Sequence, residues 1–178
     1  KPTQVGAILP EAMATMSPQQ VRALPAAAMS GLKADQIDAL PPEALATIKP
    51  AQVGALKLAA VGSLSVEQVA ALPASAMASM KPTQVGAILP EAMATMSPQQ
   101  VRALPATAVA GLKADQVAAL PASALATMKP AAVAALSPAS AAGFSNEKLA
   151  AMTPAQEKAL KPEFVNRLTP EQKAALKG

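Results

Sequence analysis

Proline sets the frame of this chain: all 18 prolines in its 178 residues fall at the first or second place of an eight-residue unit counted from Lys1. A proline inside a helix removes a backbone donor and clashes with the preceding turn, so no helix can run through these positions. The residues between them are mainly Ala, Leu, Val, Met and Gln, several of them good helix formers. The chain is therefore predicted to be a row of helices of about six residues (positions 2 to 7), turning at each junction because a proline drives the residue before it out of the helical region. The frame runs without insertion from KPTQVGAI to TPEQKAAL at Leu176, giving twenty-two octads, with octad n covering residues 8n−7 to 8n. Lys1 to Leu24 recurs letter for letter at Lys81 to Leu104, a duplication of ten octads.

Each octad position has a physical role. In Ser97-Pro98-Gln99-Gln100-Val101, Ser is a preferred N-cap, Pro is tolerated at the first helical position, and the Gln three residues after the cap can reach back to the cap N–H. The same capping box is expected for Ser17 with Gln20, Ser65 with Gln68, Thr153 with Gln156 and Thr169 with Gln172. Positions 5 and 8, such as Val101 and Leu104, share one helix face and form the core stripe. Odd octads carry Gln at position 4 through Gln116, whereas even octads mostly carry Ala there, so the octads pair into sixteen-residue units of two unlike helices. Helices this short are unstable alone and must be held by stacking on their neighbours. The expected fold is an all-α solenoid or superhelix of short helices, with a regular array over residues 1–152 and degenerate, capping repeats over 153–178, where Glu157 and Lys173 enter core position 5.

Composition narrows the chemistry. There is no Cys and no His, which removes thiol and imidazole catalysis and the usual zinc, haem and iron–sulfur ligand sets, and aromatic residues are limited to Phe144 and Phe164. A net charge of +4 is too small to mark a strongly basic nucleic-acid-binding domain, and proline interrupts every apolar run before it could span a membrane. The opening Lys1-Pro2-Thr3 reads as part of a longer protein. These features predict a protein that is not an enzyme and has no cofactor, metal site or small-molecule substrate.

Four features are candidates for function. Asp35 and Asp38 are spaced three apart, a carboxylate pair on one helix, but the duplicate copy holds Asp115 and Ala118, and first-turn acids also suit a helix dipole. Nine methionines fall at positions 5 or 8, as core filling or as an adaptable binding groove. The glutamine column, Gln4 to Gln116 at intervals of sixteen, could read a peptide backbone, or could cap helices and pack between turns. Position 1 of odd octads holds Lys1, Lys33, Lys49, Lys81, Lys113, Lys129 and Lys161, separated by multiples of sixteen. If two octads make one turn, these lysines form a basic ridge that would take DNA or an acidic polysaccharide.

The run Leu168-Thr169-Pro170-Glu171-Gln172-Lys173-Ala174-Ala175-Leu176 resembles the LTPEQ-x-x-AL octapeptide arrays of very large bacterial surface, adhesin-like and secreted repeat proteins, and the likeness extends over the whole chain. That resemblance implies a spacer or interaction segment on or outside a bacterial cell, with a protein partner or self-association. The same opening is similar to the first helix of transcription-activator-like effector repeats, which read DNA. The short-helix pattern is also similar to mesothelin- and stereocilin-like superhelical ectodomains.

Overall fold

The computed structural model describes residues 1–176 and is all-helical over them: twenty-one short α-helices and one 3-10 helix follow each other, one per octad. Odd octads of the regular part mostly hold helices of five or six residues, such as Pro18–Ala23 and Pro98–Ala103, while their even neighbours, such as Ala26–Met29 and Pro90–Met93, stop after four. The two unlike helices of the sixteen-residue unit are thus real. Most even helices of the regular part are shorter than expected and end at position 5. The junction angles follow from proline: Leu24 before Pro25 and Leu72 before Pro73 both take ψ of 133°, the extended conformation that a following proline requires.

The turn of the superhelix is longer than two octads. Hydrogen bonds between turns link residues 25, 28, 29, 30 or 31 apart, for example Gln52 Nε2 to the Leu24 carbonyl, Thr47 Oγ1 to the Pro18 carbonyl and Gln52 Nε2 to the Val21 carbonyl. One turn therefore takes about 28 residues, or three and a half octads, and each octad rests on the joint between the octads three and four places before it, like courses of brick. The 176 described residues make about six such turns, on the order of 50–60 Å of length at the usual helix spacing.

Positions 4, 5 and 8 face inward. Val21, Ile37, Val69, Val101 and Val117 at position 5 and Leu32, Leu104 and Leu120 at position 8 are at most 1% exposed, and together with their equivalents they form a single continuous core. Eight of the nine methionines are buried and Met16 is partly so, which assigns them to core filling.

At position 7 the chain approaches the turn below most closely. A Cβ on Gly31 would stand 1.9 Å from the Pro2 carbonyl oxygen, one on Gly111 2.0 Å from that of Pro82, and one on Gly143 2.0 Å from that of Ala114. Glycine here permits backbone to touch backbone across turns. At Thr47 and Ser63, also at position 7, the hydroxyl donates to the equivalent carbonyl instead, of Pro18 and Ala34 respectively, both at 3.0 Å.

Val101→Asp, which places an unpaired charge in the core, is expected to cost on the order of 3–5 kcal/mol, and Gln99→Asp on the exposed position 3 to change stability by less than about 0.5 kcal/mol. Gly111→Ala should cost about 1–3 kcal/mol through the clash with Pro82. Gly62→Ala, where the added Cβ would meet only the Ala87 carbonyl at 3.4 Å, should cost little or stabilise. Urea denaturation of the four variants reads all of these values.

Candidate functional site

The polar chemistry of the molecule is concentrated in the glutamines of position 4. The capping boxes form where they were expected: Ser17, Ser65, Ser97, Thr153 and Thr169 accept from the backbone N–H of the glutamine three residues on. Each of these glutamines accepts the cap's N–H in return, at 2.7–2.9 Å. At Lys33, Lys49, Lys81 and Lys113 only the glutamine half persists, because an ammonium group has no lone pair to accept with.

The other end of each amide reaches across the groove between turns. Gln36, Gln52, Gln68, Gln84, Gln100 and Gln116 each donate Nε2 to the position-5 and position-8 carbonyls of the octad four places earlier; Gln100, for instance, bonds Val69 and Leu72 at 2.8 Å each. These six side chains are at most 2% exposed. The glutamine column does read a peptide backbone, and that backbone belongs to its own chain.

Beyond octad 16 the column changes hands. Ala132 and Phe164 occupy position 4 in octads 17 and 21, and Gln156 and Gln172 restore the amide in the even octads 20 and 22, with Gln156 bonding Leu125 and Met128. Octad 18 is the 3-10 helix Pro138–Gly143, and its Phe144 meets Phe164 edge to face with ring centroids 5.3 Å apart. In octad 19 the place of glutamine is taken by Lys148, which is 9% exposed and donates Nζ to the Val117 carbonyl at 2.9 Å and to that of Ala118. Burial pushes this ammonium below the ordinary lysine range, opposed by the nearby Glu147 carboxylate. Sequence reasoning passed over Lys148, although it lies thirty-two residues, twice the interval of the column, beyond Gln116.

The position-1 lysines are all exposed, but the longer turn regroups them. Octad 5 rests on octad 1 through Gln36, octad 8 on octad 5 through Ser63, octad 11 packs on octad 8, and octad 15 rests on octad 11 through Gln116. This stacks Lys1, Lys33, Lys57, Lys81 and Lys113 at the heads of successive helices. Lys57 belongs to an even octad, so a search in steps of sixteen misses it. Lys33 and Lys57 line one shallow concavity with Pro2, Thr3, Gly6 and Gly31, and Lys113 lines the equivalent one with Pro82 and Gly111. Lys49 lies between octads 3 and 11 and so neighbours Lys81, whereas Lys129 and Lys161 stand beside octads headed by Pro105, Thr153 and Ser137. A single ridge of seven, which required two octads per turn, is thus replaced by a column of five that includes Lys57.

Asp35 and Asp38 are both exposed, and Asp35 Oδ1 accepts its own first-turn N–H from Gln36 at 3.0 Å, as Asp115 does from Gln116. Among the described residues no group of three or more His, Cys, Asp or Glu side chains is placed to hold a metal ion, and no helix is long and apolar enough to cross a membrane.

Lys148 stands in for glutamine as a desolvated donor, so Lys148→Gln should keep the bond to the Val117 carbonyl, add the missing one to Leu120 and raise stability at neutral pH. The sign of the pH effect follows from the lowered pKa. The unfolded chain holds the Lys148 proton more tightly, so wild-type stability should rise with pH between the folded value and the ordinary lysine range. Chemical denaturation from pH 7 to 10.5 should show that increment in the wild type and lack it in Lys148→Gln.

No family model matches this chain, and no curated relative matches it.

Proposed function

We propose that this chain is a non-enzymatic structural spacer or protein-interaction solenoid and a segment of a larger repeat protein. The observation that carries this reading is the use of the glutamine amides: in the regular array the side chains best suited to recognition are spent joining one turn to the next. A structure built this way gains length in proportion to the number of octads, because each turn contacts only its neighbours. The likeness of Leu168 to Leu176 to octapeptide arrays of bacterial surface proteins points the same way and favours a location on or outside a cell. With no His and no Cys, imidazole and thiol chemistry are not open to the chain.

A second reading, binding of DNA or an acidic polysaccharide, draws on the column of Lys1, Lys33, Lys57, Lys81 and Lys113. It is weakened by Asp35, Asp38 and Asp115, which sit on octads of that same column.

Two measurements separate the readings. Deleting residues 1–80 removes ten whole octads and leaves a chain that opens with the same twenty-four residues. As a spacer it should stay helical and shorten by roughly 25 Å in small-angle X-ray scattering, nearly three turns at ordinary helix spacing; a collapsed or unfolded remainder counts against modular length. Binding to heparin or duplex DNA at low salt that is lost in a Lys33, Lys57, Lys113→Gln variant would favour the polymer-binding reading instead.

A further inference from the structure

Four lysines of the column, Lys33, Lys57, Lys81 and Lys113, head octads 5, 8, 11 and 15, so each stands about one turn of the superhelix beyond the last. At ordinary helix spacing that sets them roughly 8–10 Å apart along the axis. All four are exposed, and among the described residues none is joined to a carboxylate in an ion pair. The carboxylates nearest in sequence to Lys33 and Lys113, those of Asp35 and Asp115, accept instead from the N–H of Gln36 and Gln116. The acids of the column, Asp35, Asp38 and Asp115, lie on octads 5 and 15; octads 8 and 11 between them, KLAAVGSL and KPTQVGAI, hold none.

Between the lysines the surface is open and apolar. One shallow concavity, inside the array, is lined by Leu58, Pro82, Gly86, Ala87 and Gly111 together with Lys113. The turns meet here backbone to backbone: a Cβ on Gly86 would stand 2.9 Å from the Gly111 carbonyl oxygen and one on Gly111 2.0 Å from that of Pro82, so little side chain fills the space. Leu58 is 50% exposed. The duplicate concavity around Pro2, Gly6 and Gly31 is lined by Lys33 and Lys57. We propose that this column docks an extended acidic peptide of a partner protein, with a carboxylate at every third residue and small apolar residues between. An extended or polyproline II chain advances about 9–10 Å in three residues, so carboxylates at i, i+3 and i+6 meet successive lysines while the side chains between them cover Leu58 and the concavity. A peptide of about ten residues spans all four lysines. A duplex or an acidic polysaccharide is the poorer match. Such polymers are charged along their whole length, whereas the acid-free part of the column is two octads and its surface is apolar. Phe144 and Phe164 are 3% and 1% exposed, which leaves no aromatic face for a base or a sugar ring. The proposal rests on the protein-interaction reading above and gives the chemistry of the partner.

Fluorescence anisotropy of a labelled peptide of four Asp-Pro-Val units, titrated with the full chain at low salt, provides the test. The comparison ligands are a peptide of the same composition with its four Asp contiguous, heparin and duplex DNA. The Asp-Pro-Val peptide is expected to bind more tightly than the contiguous one, because only it places one carboxylate against each lysine. Lys57→Gln/Lys81→Gln should weaken it about three- to tenfold, the worth of two exposed ion pairs. Leu58→Ser should weaken it too, with no change in charge. Lys129→Gln/Lys158→Gln makes the same change in net charge at exposed lysines off the column and should leave binding unaltered. All five substituted side chains are exposed, so thermal melting of the variants should match the wild type, which separates docking from folding. No binding of the Asp-Pro-Val peptide, equal binding of the two peptides, or equal loss in the two double variants would each overturn the proposal. Heparin or DNA held more tightly than the peptide by Lys57 and Lys81, with no effect of Leu58→Ser, would overturn it in favour of polymer binding. None of these outcomes alters the shortening expected on deletion of residues 1–80, which tests the spacer reading separately.

Discussion

Everything in this structure depends on how the position-4 glutamine amide is divided between two tasks. Its oxygen accepts the N–H that heads its own helix, and its nitrogen donates to two carbonyls at the end of a helix one turn away. Short helices leave a large share of their backbone groups without intrahelical partners, and a buried group in that state costs about 1–3 kcal/mol. Here the amide satisfies both kinds of orphan at once: a donor at one helix start and acceptors at another helix end. A chain whose helices average little more than one turn can be stable because the bonds that a long helix would make within itself are made between turns.

The same constraint sets the shape. Gln at position 4 ties octad n to octad n−4, while position 7 meets the position-2 carbonyl of octad n−3, through glycine at Gly31, Gly111 and Gly143 or through a hydroxyl at Thr47, Ser63 and Thr127. The two ties together impose the half-octad offset between turns. Alternation of Gln and Ala at position 4 then has a simple reason. Octads four apart share parity, so the glutamine octads form two ladders, through octads 1, 5, 9 and 13 and through octads 3, 7, 11 and 15, and the alanine octads pack beside them with Ala44, Ala76, Ala92 and Ala108 fully buried.

The later octads show what the ladder tolerates. Lys148 keeps the donation to Val117 but brings a charge into a site that is otherwise amide, and the depressed basicity of that ammonium records the cost. Phe164 abandons the hydrogen bond altogether and packs edge to face on Phe144, exchanging a polar tie for apolar contact. The ladder changes parity after Lys148, with Gln156 and Gln172 carrying it on from even octads. The surface left over carries small residues, exposed position-3 side chains, lysines at helix heads and the exposed leucines Leu9, Leu58 and Leu89.

Much of this was determined by the sequence alone. The eighteen prolines impose the octad, Ser17, Ser65, Ser97, Thr153 and Thr169 impose the helix starts, and the apolar positions 5 and 8 impose an inward face, because each of these effects acts within one octad or across one junction. Local rules also gave the oxygen half of every glutamine's role. They could not give the nitrogen half, nor the grouping of Lys33 with Lys57, nor the place of Lys148, because each depends on how many octads close a turn. That number is not encoded in any single octad. It emerges from the changes of direction at successive junctions, summed over three and four helices and fixed by contacts between residues 25 to 31 apart, so only the packed superhelix decides it.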